Sequence, residues 1–426
     1  MSKSKRQLLL WMMVLLTTLT TQCGTPQATQ VPVAEDKVLK VGVLSPFTGP
    51  SATVGEQAKN AVTMAFEKID YRIGDYKIEL VWIDSQSDPN EAANAYDKAV
   101  RQDGIQAGFW NWHSSVAVAV MEVAAEYKIP HFFTGGSTEV VNDKLQANPE
   151  KYSYWNFKML PAPGKYRAVN YVTAIEEAIA DGLMDAGEKR AAIYMEDTDY
   201  GHSLGSGLQR ALESAGWTVA AEQYFPPDQT EFHAVLNQFK GEDVSLLAVT
   251  STGIDSRVAL LEQIDEIGLK SLIVCDGLGW TGNWYELTGS SSNYVLDRIP
   301  DWVTDEGKAF AREYEARWGV YPSPIGAGAA YDAANFFIRV AQATYEQYSE
   351  LNSQTLYRFG QEKIQTGEFT FTGGVFQPGY KYTPETIPDP VVGTGYYTHF
   401  VVQYMDGEKV IVWPEEFRQA DLQTKP

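Results

Sequence analysis

From residue 39 onward the sequence predicts an α/β chain of two lobes, each built on a mostly parallel central sheet. Short apolar runs alternate with segments of helical periodicity, as repeated βαβ units require. Gly- and Pro-containing turns separate them, and the whole rhythm restarts after a crossing near residues 155 to 160. No short repeat of fixed period occurs, so a solenoid is excluded.

The first cycle is strand LKVGVLS (39–45), a loop through Gly49 and Pro50, and a helix with Ala58, Ala61, Val62, Ala65, Phe66 and Ile69 on one face. Strand IELVWID (78–84) follows, and then Asp88-Pro89-Asn90-Glu91, where Asp88 caps, Pro89 takes the first helical position and Glu91 completes a capping box. A helix to about Arg101 leads to strand AGFW (107–110) and a Val/Ala-rich helix opening at Ser114 and Ser115. Strand IPHFF (129–133) ends at Thr134-Gly135-Gly136-Ser137-Thr138. The second lobe reads helix 167–181, strand 191–195, helix 203–215, strand 217–223, helix 231–240, strand 245–249, helix 255–266 and strand 271–275. Two helices lie between Thr304 and Ala343, with Phe310, Tyr314 and Trp318 on one face of the first and Gly319 as its stop. The remainder from about 368 reads as short strands, including a hairpin at Asp406-Gly407.

Ahead of this stands MSKSKRQ, then LLLWMMVLL, then TTLTTQ and Cys23: a cationic start, an apolar core and a polar exit, the pattern of a signal peptide over residues 1–23. The apolar stretch is far shorter than the roughly 20 residues a spanning helix needs. Cys23 resembles the lipidated cysteine of bacterial lipoproteins, although Thr20, Thr21 and Gln22 depart from the usual residues before it. If Cys23 carries lipid, Cys275 has no disulfide partner and reads as a small buried hydrophobe. Residues 24–37, rich in Thr, Gln and Pro, read as a flexible tether.

With 34 Lys and Arg against 55 Asp and Glu, the formal charge is −21. Such a surface repels phosphate backbones, and no basic run with interleaved aromatics occurs, so nucleic acid is excluded as a partner. The five histidines (113, 131, 202, 233, 399) show no ligand spacing, and neither CxxC nor GxSxG is present, so neither a metal site nor catalytic residues are expected. Gly277-Leu-Gly279-Trp-Thr-Gly282 matches GxGxxG with Asp297 at the fingerprint distance, but it ends a lobe and leads into only a short helical segment. A glycine-rich turn is expected there and no cofactor.

What remains is a set of residues at the C-terminal ends of predicted parallel strands, where open α/β sheets bind ligands. Ser114 and Ser115 open a helix whose free N–H groups and dipole suit a carboxylate, or they serve only as an ordinary cap. Gly135, Gly136 and Ser137 allow close backbone approach, or form a plain turn. Trp110, Trp112 and Tyr200 could pack on an apolar solute or in the core, and Asp276 could take an ammonium group or face solvent.

Taken together, VGVLSPFTGPSATVGEQAKNAVTMAFEKI, DSQSDPNEAANA, EDTDYG (196–201), Pro322, AAYDAA (329–334) and FTGGVFQP (371–378) resemble the type I periplasmic binding proteins of the leucine/isoleucine/valine-binding branch. The resemblance covers about residues 38–415. It implies two Rossmann-like lobes joined by a three-crossing hinge near 156–160, 298–303 and 366–370. Lobe 1 is then 38–157 plus 302–367, lobe 2 is 158–301 plus 368–416, and 417–426 is a tail. It implies that Ser114 and the Gly135-Gly136-Ser137 turn hold a ligand carboxylate and that Tyr200 covers it. Val54 stands where a tyrosine can occur, and the ammonium-binding acid falls near Gly277 with Asp276 beside it. The expected protein is a monomeric, non-enzymatic, extracytoplasmic lipoprotein that binds a small amino acid or related solute for the permease subunits of an ABC transporter. The alternatives are a ligand sensor for a membrane receptor and a binder of amide, urea or aromatic acid solutes.

Overall fold

The structure, a computed structural model, describes residues 37–426. The expected leader, Cys23 and nearly all of the tether lie outside the described residues. In chain order the first half comprises β1 (Lys37–Ser45), α1 (Ala52–Glu67), β2 (Arg72–Ile73), β3 (Tyr76–Asp84), α2 (Pro89–Lys98), β4 (Ala107–Phe109), α3 (Ser114–Tyr127), β5 (His131–Thr134), α4 (Glu139–Ala147), the single turn α5 (Pro149–Tyr152) and β6 (Phe157–Lys158). The second half comprises α6 (Arg167–Ala180), β7 (Arg190–Glu196), α7 (Asp199–Ser214), β8 (Thr218–Phe225), α8 (His233–Gly241), β9 (Leu246–Thr250), α9 (Ile254–Glu266), β10 (Leu272–Asp276), α10 (Trp284–Thr288) and β11 (Leu296–Asp297). After it come α11 (Asp305–Trp318), α12 (Ala329–Tyr348), α13 (Ser353–Phe359), β12 (Thr370–Thr372), β13 (Gly379–Lys381), β14 (Val401–Met405) and β15 (Glu408–Trp413).

These strands form two large sheets, ordered β2-β3-β1-β4-β5-β6 and β15-β14-β11-β10-β9-β7-β8. The first is parallel except for the β2–β3 hairpin, and the second is parallel from β8 to β11 with β14 and β15 added antiparallel. In each, the order reverses once, between β1 and β4 and between β7 and β9, which places a topological switch point at the strands' C-terminal ends. Register brings Val43 beside Phe109 and Thr250 beside Asp276 at those ends.

Burial explains why these runs become strands. Val41, Val43 and Leu44 on β1 are fully buried because helices cover both faces, so the run is apolar without alternation. On one face α2 and α3 pack Tyr96, Val120 and Met121 against Leu44 and Ile83. On the other, Phe109 stacks between Phe66 of α1 and Phe337 of α12, at 5.9 and 5.2 Å. Leu236, Phe239, Leu260 and Ile264 do the same for Ile273 and Cys275 of β10.

Local expectations hold where a cap or turn residue decides the matter. Asp88 accepts from the N–H groups of Asn90 and Glu91, with Pro89 at the first position. Gly319 ends α11 at φ 73°, and Asp406-Gly407 turns the β14–β15 hairpin at φ 48° and 90°. Helix α7 begins at Asp199, four residues before the expected start, because Thr198 caps it through the N–H of Gly201.

The chain passes between the sheets three times, at 159–166, 298–304 and 393–400. The third passage is a correction. Residues 368–392, expected in lobe 2, pack on the first sheet: Phe371 contacts Phe336, Tyr380 contacts Phe133, and the Tyr382 hydroxyl donates to the carbonyl of Lys158. Aromatic side chains that fit beside β5 and α12 keep this segment there until the positive-φ glycines 393 and 395. The last ten residues also have a place, since Leu422 is buried and Gln403 exchanges hydrogen bonds with Gln423.

Candidate ligand-binding cleft

The C-terminal ends of the two sheets face each other, and the loops following them meet. Ser51 Oγ donates to the carbonyl of Thr252 at 3.1 Å, and Asp199 N–H donates to Ser115 Oγ at 3.2 Å. Ser203 Oγ accepts from the N–H of Glu139 at 3.0 Å and is hydrogen-bonded to the Glu139 carboxylate. Ser323 Oγ donates to the carbonyl of Gly279 at 2.8 Å. The lobes are therefore closed, around a cavity of about 20 Å³, with a larger groove of about 270 Å³ outside it at the mouth.

On the first lobe the cavity wall is set by how β4 and β5 end. Trp110 follows β4 at φ 66° and Phe133 sits within β5 at φ 56°, where the pairing register shifts, a conformation that costs bulky residues free energy and must be held by surroundings. His131 Nε2 donates to the Trp110 carbonyl at 2.6 Å while its Nδ1 meets Tyr96 Oη at 3.0 Å, and Asn111 ties the two turns together. The Asn111 side chain donates to the carbonyl of His113 and accepts from the N–H of Gly136, and its own carbonyl accepts from the N–H of Gly135. A Cβ on Gly135 would stand 2.2 Å from that carbonyl, and one on Gly136 would stand 2.6 Å from Ala117 Cβ. Turn-to-turn packing thus accounts for both glycines.

Helix α3 then starts at Ser114 with His113 as an N-cap whose side chain caps nothing. Among the described residues, the N–H groups of Ser114, Ser115 and Val116 and the Ser114 hydroxyl make no hydrogen bond, leaving donors and the positive end of a helix dipole at the cavity. His113 bonds Ser51 Oγ through Nε2, and burial pushes its pKa down to about 4.

From the other side come Tyr200 in the first turn of α7, Thr252 after β9, Trp280 after β10 and Arg298 at the second crossing. The Trp280 ring meets Trp112 and Tyr200 edge to face, at 5.5 and 5.7 Å, with the Arg257 guanidinium 5.3 Å over it. Tyr200 Oη accepts from Arg167 at 2.6 Å and donates to Asp276 Oδ1 at 2.5 Å, while Tyr171 Oη donates to Asp276 Oδ2 at 2.9 Å. The Arg167 guanidinium also reaches Ser137 Oγ at 3.4 Å.

Of the residues singled out in the sequence, Trp112, Ser114, Gly135, Ser137 and Tyr200 line one cavity. Ser115 borders the outer groove with its hydroxyl engaged by Asp199, and Gly136 is packed behind the turn. Asp276 is fully buried behind Tyr200, neither at the cavity wall nor in solvent. The GxGxxG segment is a short turn whose Gly277 and Gly279 N–H groups both donate to the Asp297 carboxylate, at 2.9 and 2.8 Å. Those donors are the ones a phosphate would need.

Sequence reading missed Trp280, Thr252, Arg167 and Arg298. Arg167 opens the predicted helix 167–181 and Arg298 stands at a predicted crossing, but nothing in the sequence assigned either to the cleft, and only the fold brings them together. Among the described residues no cluster of three or more His, Cys, Asp or Glu is placed to hold a metal ion, and no helix is long and apolar enough to cross a membrane.

Two α/β lobes with three connecting passages and an interlobe cavity at both switch points define the bilobal ligand-binding architecture. The periplasmic binding protein family model matches residues 38–359, and the chain belongs to that family. It is similar to Leu/Ile/Val-binding protein homolog 7 of Brucella abortus (strain 2308), with 26% identity over 263 residues, 60% of this chain. That match spans 62% of the relative's length. Among solved structures it is similar to the leucine-binding protein LivK of Thermotoga maritima, with TM-score 0.70, 18% identity, and coverage of 88% of this chain and 97% of that one. A solute-binding protein of an R. palustris ABC transporter, solved in complex with benzoate, gives TM-score 0.72 at 17% identity, covering 88% and 95%.

Proposed function

We propose that this protein is the extracytoplasmic solute-binding component of an ABC uptake transporter, and that its solute is a small carboxylate with an apolar body. One observation carries this reading: the free N–H groups of α3 and the unpartnered Ser114 hydroxyl face a space walled by Trp112, Trp280, Tyr200 and Leu160. Free donors at a helix N-terminus suit a carboxylate, and the rings suit what it is attached to. The names of the relatives, Leu/Ile/Val-binding homologs and a benzoate complex, are those of carboxylate binders.

Closure buries the solute, and the closed surface is what a permease would recognise. The protein carries out no reaction in this role. Cys23 serves as the lipid attachment point that holds it at the membrane, and Cys23→Ser releases it into the soluble fraction.

Ser114→Ala tests the binding site. With no protein partner to lose, the variant keeps its melting temperature to within about 2 °C. Carboxylate affinity falls about tenfold, one lost hydrogen bond to a charged group. Unchanged affinity in calorimetric titration places the carboxylate elsewhere.

A further inference from the structure

Arg298 is 6% exposed and lines the cavity, yet its guanidinium donates no hydrogen bond among the described residues. A buried arginine normally spends its five N–H groups on acceptors, so one that spends none in a ligand cavity demands an account. Its ion-pair partner, Asp276, lies 3.5 Å from Nε at Oδ1. That carboxylate already accepts from both Tyr200 and Tyr171, and Arg167 shares it through Tyr200.

Two buried guanidiniums thus stand at this carboxylate, Arg298 beside Oδ1 and Arg167 through the Tyr200 hydroxyl. The next carboxylates do not line the cavity: Glu196 accepts from Thr198 and Thr252, Asp297 accepts from Gly277, Gly279 and Tyr404, and the buried Arg257 guanidinium is near both. His399, also near the two arginines, is held neutral by burial. The cavity wall offers a cation and a helix N-terminus but no free acid.

An α-amino acid brings an ammonium group along with its carboxylate. In this cavity the ammonium would be buried beside Arg298 with no acceptor carboxylate, which is unfavourable by desolvation and by like charge. A carboxylic acid without that group brings one negative charge to a wall that carries the Arg298 guanidinium and no Asp or Glu. Resting on the reading above, we propose that the solute is a net-anionic carboxylic acid lacking an α-ammonium group, and that Arg298 selects it over the zwitterion.

The test uses skeleton-matched pairs: 4-methylpentanoate against leucine, and 3-phenylpropionate against phenylalanine, titrated calorimetrically into the purified protein. In each pair that binds, the acid is expected to bind at least tenfold more tightly than its amino acid. Arg298→Gln is expected to reduce that ratio to threefold or less, while Arg298→Lys preserves most of it, with circular dichroism melting to show that both variants fold. An amino acid binding as tightly as its matched acid overturns the inference and leaves the carboxylate-binding role standing. A ratio unchanged in Arg298→Gln overturns the assignment to Arg298. Binding of neither member of either pair overturns the inference together with the reading it rests on.

Discussion

A histidine that bridges two loops inside a protein is a titration switch whether or not function uses it. His113 sits between Ser51 and the start of α3, and burial lowers its pKa from 6.5 to about 4. Below pH 6.5 the unfolded chain binds a proton that the folded chain refuses, so this residue's share of stability is present above pH 6.5 and is lost as pH falls toward 4. Glu196, Asp297 and Asp332 act in the opposite sense, because burial raises their pKa values. The informative quantity is therefore a difference. His113→Gln is expected to change the slope of unfolding free energy against pH between 4 and 6.5 by up to about 1.4 kcal/mol per pH unit, in the direction of weaker acid sensitivity. Urea titrations of both proteins at four pH values measure it.

At the scale of elements, the binding turn after β5 depends on β6. Lys158 of β6 is fully buried, paired with Asp389 at 2.8 Å and bonded to Asn142 Oδ1 at 2.6 Å, and it reaches the carbonyls of Ser137 and Thr138 at 3.4 Å. It joins the Ser137 turn to α4 and to the segment before the third crossing. Lys158→Met leaves Asp389 charged and buried, at a cost of about 3–5 kcal/mol in denaturant unfolding, and adding Asp389→Leu recovers most of it. The same elements show what sequence can convey. Strands such as β1 and β9 were legible because burial on both faces leaves continuous apolar runs, and α3 because Ser114-Ser115 precedes a Val/Ala stretch. Strand β11 has two residues and no run to detect, so the position of Arg298 just beyond it was not legible. The third crossing was misplaced because Phe371, Tyr380 and Tyr382 suit either lobe by composition, and only their contacts with Phe133, Phe336 and Lys158 decide between them.

For the whole molecule, affinity is a property of closure as well as of the cavity. Ser203 on α7 latches the lobes through Thr138 and Glu139, and the Glu139 carboxylate in turn accepts from the N–H groups of Gly164 and Lys165 in the first crossing. None of these side chains lines the cavity. Ser203→Ala removes about 1–2 kcal/mol that favours the closed arrangement, so solute affinity is expected to fall roughly five- to thirtyfold. Small-angle scattering is expected to show a larger radius of gyration for the variant. A variant that binds and scatters as the parent does would show that this contact does not govern closure.

The central claim is that the cleft binds a carboxylate in the free donors of α3. It is tested most directly by calorimetric titration with carboxylic acids and their matched primary amides, such as 3-phenylpropionate and 3-phenylpropanamide. The account predicts saturable binding of the acid at one per chain and no detectable binding of the amide. Binding of the amide as tight as that of the acid would contradict it.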